Sequence, residues 1–393
     1  YGISPRVLAQ FRSGAVRHAV ESGFRLHRDE FDNVEIDTDR ADARADDFDA
    51  ASFGDPSDPA GSKRVKQRFT ADALALYAED RLTLGNVSLT AGLRLETYRQ
   101  SGTDFYDRRS LELINESSET TQSEILPAVG ITVLTGAGTL FGGLFRGFVP
   151  LTKSFAFASL VDDEGFEVDE QLRPERSLNL ELGFRTGETS ALRGSIAIFQ
   201  NTVSNLVAAG RKADFQPIVS NLGAVRYSGI ELDGRVAVQR VTSLPFDLTI
   251  DAQATILDSE IQQGLIDEQG NGTGVDIRGN EAPYAPPLIL RFGFSTSIGG
   301  FTGSLHYNRI GQQFADFNNT VEETAAGDNG LLPSYAFAGL SALYNFRSIP
   351  LQLSFTVKNV GSAVYKGSRL HRSSSGIFPG GFRQVNFGIN VDI

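Results

Sequence analysis

In the stretch LNLELGFR, Leu178, Leu180, Leu182 and Phe184 share one parity, and Asn179, Glu181, Gly183 and Arg185 share the other. A period of two marks a strand with one oily and one polar face. The alternation returns along the chain. In SLTAGLRLETYRQ, Leu89, Ala91, Leu93 and Leu95 oppose Thr90, Arg94, Glu96 and Tyr98. In IELDGRVAVQ, Ile230, Leu232, Val236 and Val238 oppose Glu231, Asp233, Arg235 and Gln239. LQLSFTVK and the closing VNFGINVDI repeat the pattern.

The alternation predicts about fifteen strands, at 6–12, 15–31, 65–82, 86–101, 121–134, 138–149, 175–186, 190–208, 222–239, 245–261, 284–298, 301–316, 333–346, 350–358 and 381–392. Short Gly-rich links at 12–14, 135–138, 186–190 and 297–300 alternate with long links at 32–64, 102–120, 150–174, 209–221, 262–283, 317–332 and 359–380. Tight turns on one side and long loops on the other are the signature of an all-β, up-and-down antiparallel transmembrane barrel. The charged parity agrees. Glu181, Arg185, Glu231, Asp233 and Arg235 enter a dry core only at great cost, whereas a wet lumen accepts them. A soluble multi-sheet protein that turns this face to water is the alternative. The strands are long against the soluble mode of about 5–6 residues. A tilted strand needs about 9–11 residues to cross a bilayer.

Composition narrows the chemistry. The 393 residues include no Cys, Met or Trp, and the net charge is −12. Without Cys there is no disulfide, thiolate metal site or Cys nucleophile. An acidic chain is a poor partner for nucleic acid, whose phosphates need clustered Lys and Arg. No apolar run approaches the roughly 18 residues of a membrane helix. YGISPRVLAQ has no signal-peptide core and no initiating Met, so the chain is expected to begin in mid-structure.

The acidic run DEFDNVEIDTDRADARADDFD, residues 29–49, reads as a solvated loop. Calcium binding and repulsion of competing anions are its alternatives, although the run has no Gly and misses the EF-hand pattern. QGNGTGVDIRGNE, residues 269–281, reads as a flexible loop tip. His306, in SLHYN, falls on the polar parity and is expected to face the lumen. Arg369, His371 and Arg372 lie in the last long loop, where they could meet an anionic ligand from outside. Tyr106, Arg108 and Arg109, in DFYDRRS, are a second candidate set, suited to a catecholate or carboxylate chelate. Ordinary polar surface is the plain alternative for each. An enzyme is not expected, since G-x-S-x-G and H-E-x-x-H are both missing from the sequence. No catalytic residue, bound metal or cofactor is expected.

Several stretches resemble one family in order along nearly the whole chain. RFTADALALYAEDRLTLGNVSLTAGLRLE, LRPERSLNLELGFR, LGAVRYSGIELDG, SFTVKNVGSAVYKGSR and GGFRQVNFGINVDI are similar to the barrel of TonB-dependent outer-membrane receptors. The opening GISPRVL resembles the branch that takes up ferric citrate. The resemblance implies a 22-stranded barrel around a plug. The whole chain, 1–393, is therefore expected to be one partial barrel domain lacking its plug and first strands. The family's last strand commonly ends in an aromatic residue, whereas this one ends in Ile393.

The implied function is energised import of a ferric chelate, of siderophore or ferric citrate type, or of a similar scarce nutrient. The implied partners are that nutrient, outer-membrane lipid, and the TonB energy-coupling complex reached through the missing plug. The implied location is the outer membrane of a Gram-negative bacterium. A passive porin-like channel and an adhesive or structural barrel are the alternatives.

Overall fold

The computed structural model describes residues 1–37, 62–106, 113–151, 167–168, 173–187, 191–211, 217–221, 223–264, 276–325, 327, 329–369 and 376–391. Two short strands open the chain, β1 (Gly2–Ile3) and β2 (Arg6–Ser13), and both pair with β3 (Val16–Asp37). They form one edge strand broken at Ser4–Pro5, since proline has no N–H to give a ladder. Then come β4 (Ser62–Leu84), β5 (Val87–Tyr106), β6 (Leu113–Leu134) and β7 (Gly138–Val149). β8 (Glu167–Val168) precedes β9 (Glu175–Thr186) and β10 (Leu192–Ser204). After these lie β11 (Val207–Arg211), β12 (Pro217–Asn221), β13 (Ala224–Ala237) and β14 (Asp247–Gln263). The run continues through β15 (Leu288–Ile298), β16 (Phe301–Ile310), β17 (Tyr335–Asn345) and β18 (Leu351–Lys358). The short β19 (Lys366–Arg369) and β20 (Ile377–Pro379) lead to β21 (Gln384–Val391).

Sixteen of these form one antiparallel sheet in chain order, with β2 at one edge and β21 at the other. It is an up-and-down barrel wall. β8, β11 and β12 make a small separate sheet, and β19 pairs with β20. The fifteen predicted strands are all present, the first of them as β2, with the short β1 lying ahead of it. Gly14, Gly85 and Gly299 take left-handed φ of 61°, 59° and 61° in three of the short turns, which glycine does without a Cβ clash. No helix among the described residues is long and apolar enough to cross a membrane.

Three expectations need correction. The predicted strand 190–208 ends at Ser204, because Asn205 turns left-handed at φ 57° and β11 starts a new sheet. The predicted strand 301–316 ends at Ile310, leaving a lone bridge between Gln313 and Leu332. The acidic loop starts later than predicted, because β3 runs as far as Asp37. Strand geometry sends Asp29 and Glu30 to opposite faces. Asp29 bonds His27, while Glu30 and Asp32 both face Arg68. Among the described residues no group of three or more His, Asp or Glu is arranged to hold a metal ion. Residues 38–49 of that run lie outside the described residues.

Directly paired residues point to the same face. The register therefore carries Leu26, Leu74 and Thr97 to one face at one level, and Val20, Asp80 and Ala91 three levels nearer the short turns. This face is an apolar belt. Leu178, Leu180 and Leu182 are 50–55% exposed, while the polar Asn179 and Glu181 between them are more enclosed. Side chains converge and screen one another on the inner face of a curled sheet, so the oily face is the outer one. A soluble sandwich would bury it.

On β3–β6 the belt has a sharp upper edge. One level beyond Leu26 and Leu74 the outer face becomes Arg28 paired with Asp72 at 3.3 Å, and Arg99 paired with Glu119 at 2.6 Å. Further out, Arg68 reaches Asp32 at 2.7 Å. On β5 the apolar stretch runs from Val87 to Leu95, matching the roughly 9–11 residues that cross a bilayer at a tilt. His18 and Asp80 interrupt the belt. They bond each other at 2.7 Å, and Phe11 stacks on the His18 ring at 4.6 Å.

Candidate functional site

The inner face is polar and ordered in rows. One row carries Arg193, Arg235, Asp251, Gly293, His306 and Gly339 as successive cross-strand partners. The next carries Arg185, Ser195, Asp233, Gln253, Arg291 and Asn308. Gln253 donates to Asp233 at 3.2 Å. His306 faces the lumen, as its parity predicts. Its ring lies flat over Gly339, where a Cβ would stand 2.4 Å from Cε1 and Nε2. Asp251 lies over Gly293 in the same manner. Glycine opposite a large inward group lets that group lie along the wall.

At the loop end, three consecutive loops are locked together. Tyr284, in the loop after β14, donates its hydroxyl to the Arg369 carbonyl and accepts from the Arg369 N–H, both at 3.2 Å. Asn280 donates to the Phe317 carbonyl at 2.9 Å, and Asn319 accepts from the Glu281 N–H at 2.7 Å. Beneath them Val225, Ile261, Ile277, Ala282 and Ala285 form a buried apolar core, with Tyr227, Leu257 and Phe317 against it.

Arg369 is the key of this knot. Its guanidinium is 0% exposed. It donates to the carbonyls of Gly330 at 2.7 Å, Gly327 at 2.6 Å and Leu331 at 3.2 Å, and to Glu323 at 3.2 Å. The expectation that Arg369 itself meets a ligand from outside does not fit this enclosure: protein acceptors hold four of its five N–H donors, and the side chain is closed to solvent. Lys366 also binds Glu323. The two cations hold the Glu323 carboxyl below its usual range, the hydrogen bond from Lys366 contributing most. In the loop before β15, Arg278 bonds Asp276 and brings that carboxyl down to about 2.

The other candidates fall elsewhere. Tyr106 ends β5, its backbone paired with Leu113 of β6, far along the sheet from β16. Arg108, Arg109, His371 and Arg372 lie outside the described residues. The described structure therefore places His306 on the wall and Arg369 inside the loop knot, and joins neither to Tyr106. Sequence reasoning missed Tyr284, Tyr335, Phe337 and Tyr365. Tyr335 and Phe337 were legible: in YAFAGL they take the inward parity, with Ala336 and Ala338 on the outward one. They and Tyr365 form a stack, Tyr335 and Tyr365 lying 4.1 Å apart and 7° from parallel. Nothing in the local pattern announces that Tyr284 or Tyr365 folds inward.

Residues 10–360 match the TonB dependent receptor-like β-barrel family. The chain belongs to that family. Among solved structures it is similar to the ferric citrate transporter FecA in its unliganded form, with 23% identity and a TM-score of 0.76. It is also similar to the siderophore receptor PiuA from Acinetobacter baumannii, with 16% identity and a TM-score of 0.72. The ferric-catecholate import receptor Fiu from E. coli K12 gives 16% identity and 0.70. Each likeness covers 99% of this chain but 53–55% of the other chain. The chain thus spans about half the length of the structures it matches, and identities this low establish the shared fold alone.

Proposed function

We propose that this TonB-dependent receptor-like barrel forms the wall of an outer-membrane importer for a ferric chelate or a similar scarce nutrient, driven through a TonB energy-coupling complex. The observation that carries this reading is the two-faced wall. An apolar belt, broken at His18 and Asp80, faces outward, and rows of charge face inward. That combination suits a lipid-embedded, water-filled barrel. The membership of the family and the names of the solved relatives support the nutrient class. The whole of residues 1–393 acts as one barrel domain in this reading, completed by a plug and further strands. Capture falls to the long-loop end, and the lumen rows centred on His306 line the passage. The candidates Tyr106, Arg108, Arg109, His371 and Arg372 stay as capture residues of this proposal. No covalent step is required of any residue.

The test is growth of a receptor-deletion strain under iron limitation. The full-length protein should restore growth on at least one ferric chelate, and collapse of the proton gradient should abolish uptake. Uptake that survives the collapse would replace this reading with a passive channel. Single-channel conductance separates the two again, because a plugged receptor is closed and a porin conducts.

A further inference from the structure

One seam of the wall is closed by side chains and not by a ladder. β6 pairs with β5 along its whole length, with Pro127 opposite Leu93. On its other edge, pairing with β7 stops at Ala128 opposite Phe145. Proline has no N–H to give a ladder. The β5 ladder passes Pro127 unbroken, so the loss falls on the β7 side. Above that point residues 146–149 of β7 have β9 as their one strand partner among the described residues. Residues 113–126 of β6 likewise pair with β5 alone.

The two edges do not lie side by side there; they overlap. Arg176 shares the outward parity of Leu178, and Phe148 is its direct partner. Tyr98 and Glu124 take the inward parity, as partners of Ala73 and Glu96. Yet Arg176 bonds Glu124 at 2.8–3.0 Å, and Phe148 stacks on Tyr98 at 5.8 Å. The outer face of one edge can meet the inner face of the other only if β7 and β9 pass inside β5 and β6. Gln100 adds one bond across the lap, to the Leu151 carbonyl at 3.0 Å. Its own amide oxygen is enclosed without a partner among the described residues.

We propose that this lap is a lateral joint in the barrel wall, locked by Arg176 and Glu124, whose sliding widens the loop-end mouth. A wall closed by ladders all round has its girth set by strand number and stagger. Changing that girth means breaking a row of backbone hydrogen bonds. At the lap the girth changes when β7 and β9 slip from beneath β5 and β6. Among the described residues one ion pair, one ring contact and one side-chain bond must let go, and every ladder stays whole. Arg176 is 40% exposed, so water takes over its guanidinium as it leaves Glu124. Glu124 is 5% exposed in the closed lap, and sliding uncovers it to water as well. The joint belongs to the wall and holds for any cargo, so it does not depend on the import reading.

The test uses the full-length protein in lipid bilayers. This chain has no Cys, so a pair added as Ser123→Cys and Arg146→Cys, both exposed and on opposite sides of the seam, is unique within it. Gln200→Cys with Asp258→Cys is the control, because both residues are ladder partners of Ser228 on the strand between them. Spin labels on the seam pair should show one dominant short distance. Arg176→Met with Phe148→Ala should raise a longer-distance population at least fivefold, and the control distance should not move. Heat-modifiable migration on gels confirms that the variants are folded. With the clamp intact, thiol cross-linkers of graded length should capture the seam pair over a wide range of lengths, and the control pair over a narrow one. An unchanged distance in the folded variant overturns the proposal. Equal broadening at the control pair overturns it too, as does capture of the seam pair over no wider a range than the control.

Discussion

The long-loop end of the barrel is built in two ways. From β3 to β6 the strands run 20–23 residues and carry the ladder well past the apolar belt. From β16 to β18 they run 8–11 residues, and interlocked loops take over. In the ladder, backbone groups satisfy one another, and outward pairs such as Arg68–Asp32 stand in water. In the knot, few loop carbonyls have ladder partners, so side chains must supply the donors. Stability in the ladder is spread over many residues. In the knot it is concentrated in Arg369, Tyr284 and the small core around Ile261. The same function of extending the wall thus has very different sensitivity to a single change.

The largest effect is expected from Arg369→Met. It removes donors from three enclosed carbonyls and leaves Glu323 with Lys366 alone. Local opening of the three loops should become easier by about 3 kcal/mol. Hydrogen exchange of residues 313–332 would show this, with β3–β6 unchanged. Protection equal to wild type would erase the contrast between the two regions.

The junction of the regions is expected to come next. β6 and β7 part beyond Ala128 and Phe145, and the top of β7 and β9 packs beneath β5 and β6. Arg176 clamps this seam by bonding Glu124, which is only 5% exposed, at 2.8–3.0 Å. Arg176→Met leaves that carboxylate enclosed and should cost about 2 kcal/mol, reduced from the fully buried case because Arg176 is partly in water. Denaturant unfolding in detergent measures it, and Arg176→Met with Glu124→Gln should recover part of the loss.

A smaller effect is expected from pH. The folded Glu323 carboxyl titrates below its ordinary 4.5, so its stabilising contribution is complete above that value. It is lost as pH falls through the lower folded value. Proteolysis of the knot should therefore quicken well below pH 4.5, and the ladder should not follow. Glu323→Gln should remove that pH dependence. The smallest effect belongs to the ladder's collar. Arg68→Met and Arg99→Met should leave the melting midpoint unchanged within error, as exposed ion pairs usually do. A clear drop there would make the ladder as dependent on single residues as the knot.

Much of this was legible beforehand because a strand's period ties facing to sequence position. The fifteen strands, the alternation of short and long links, the inward placing of His306 and the outward placing of Leu178–Leu182 needed only parity and turn residues. The ladder's true length was harder to read. Above the belt both faces are polar at residues 115–120, so the alternation fades there although the strand continues. The knot was illegible. RLHRSSSG looks like an exposed basic loop, and no neighbour in the sequence marks Arg369 as enclosed.

What the sequence determined by itself is therefore the repeating local geometry: which residues form strands, which face each takes, and where the turns fall. The register and packing of distant segments decided the rest. Tyr284 meets Arg369 across 85 residues, and Arg176 meets Glu124 across 52. Neither partner carries a local mark of the other. Burial turned Arg369 from a ligand candidate into a clamp, because protein acceptors hold four of its five N–H groups and its side chain is closed to solvent. It also laid Tyr365 flat on Tyr335 and close against Gly380, where a Cβ would meet its ring.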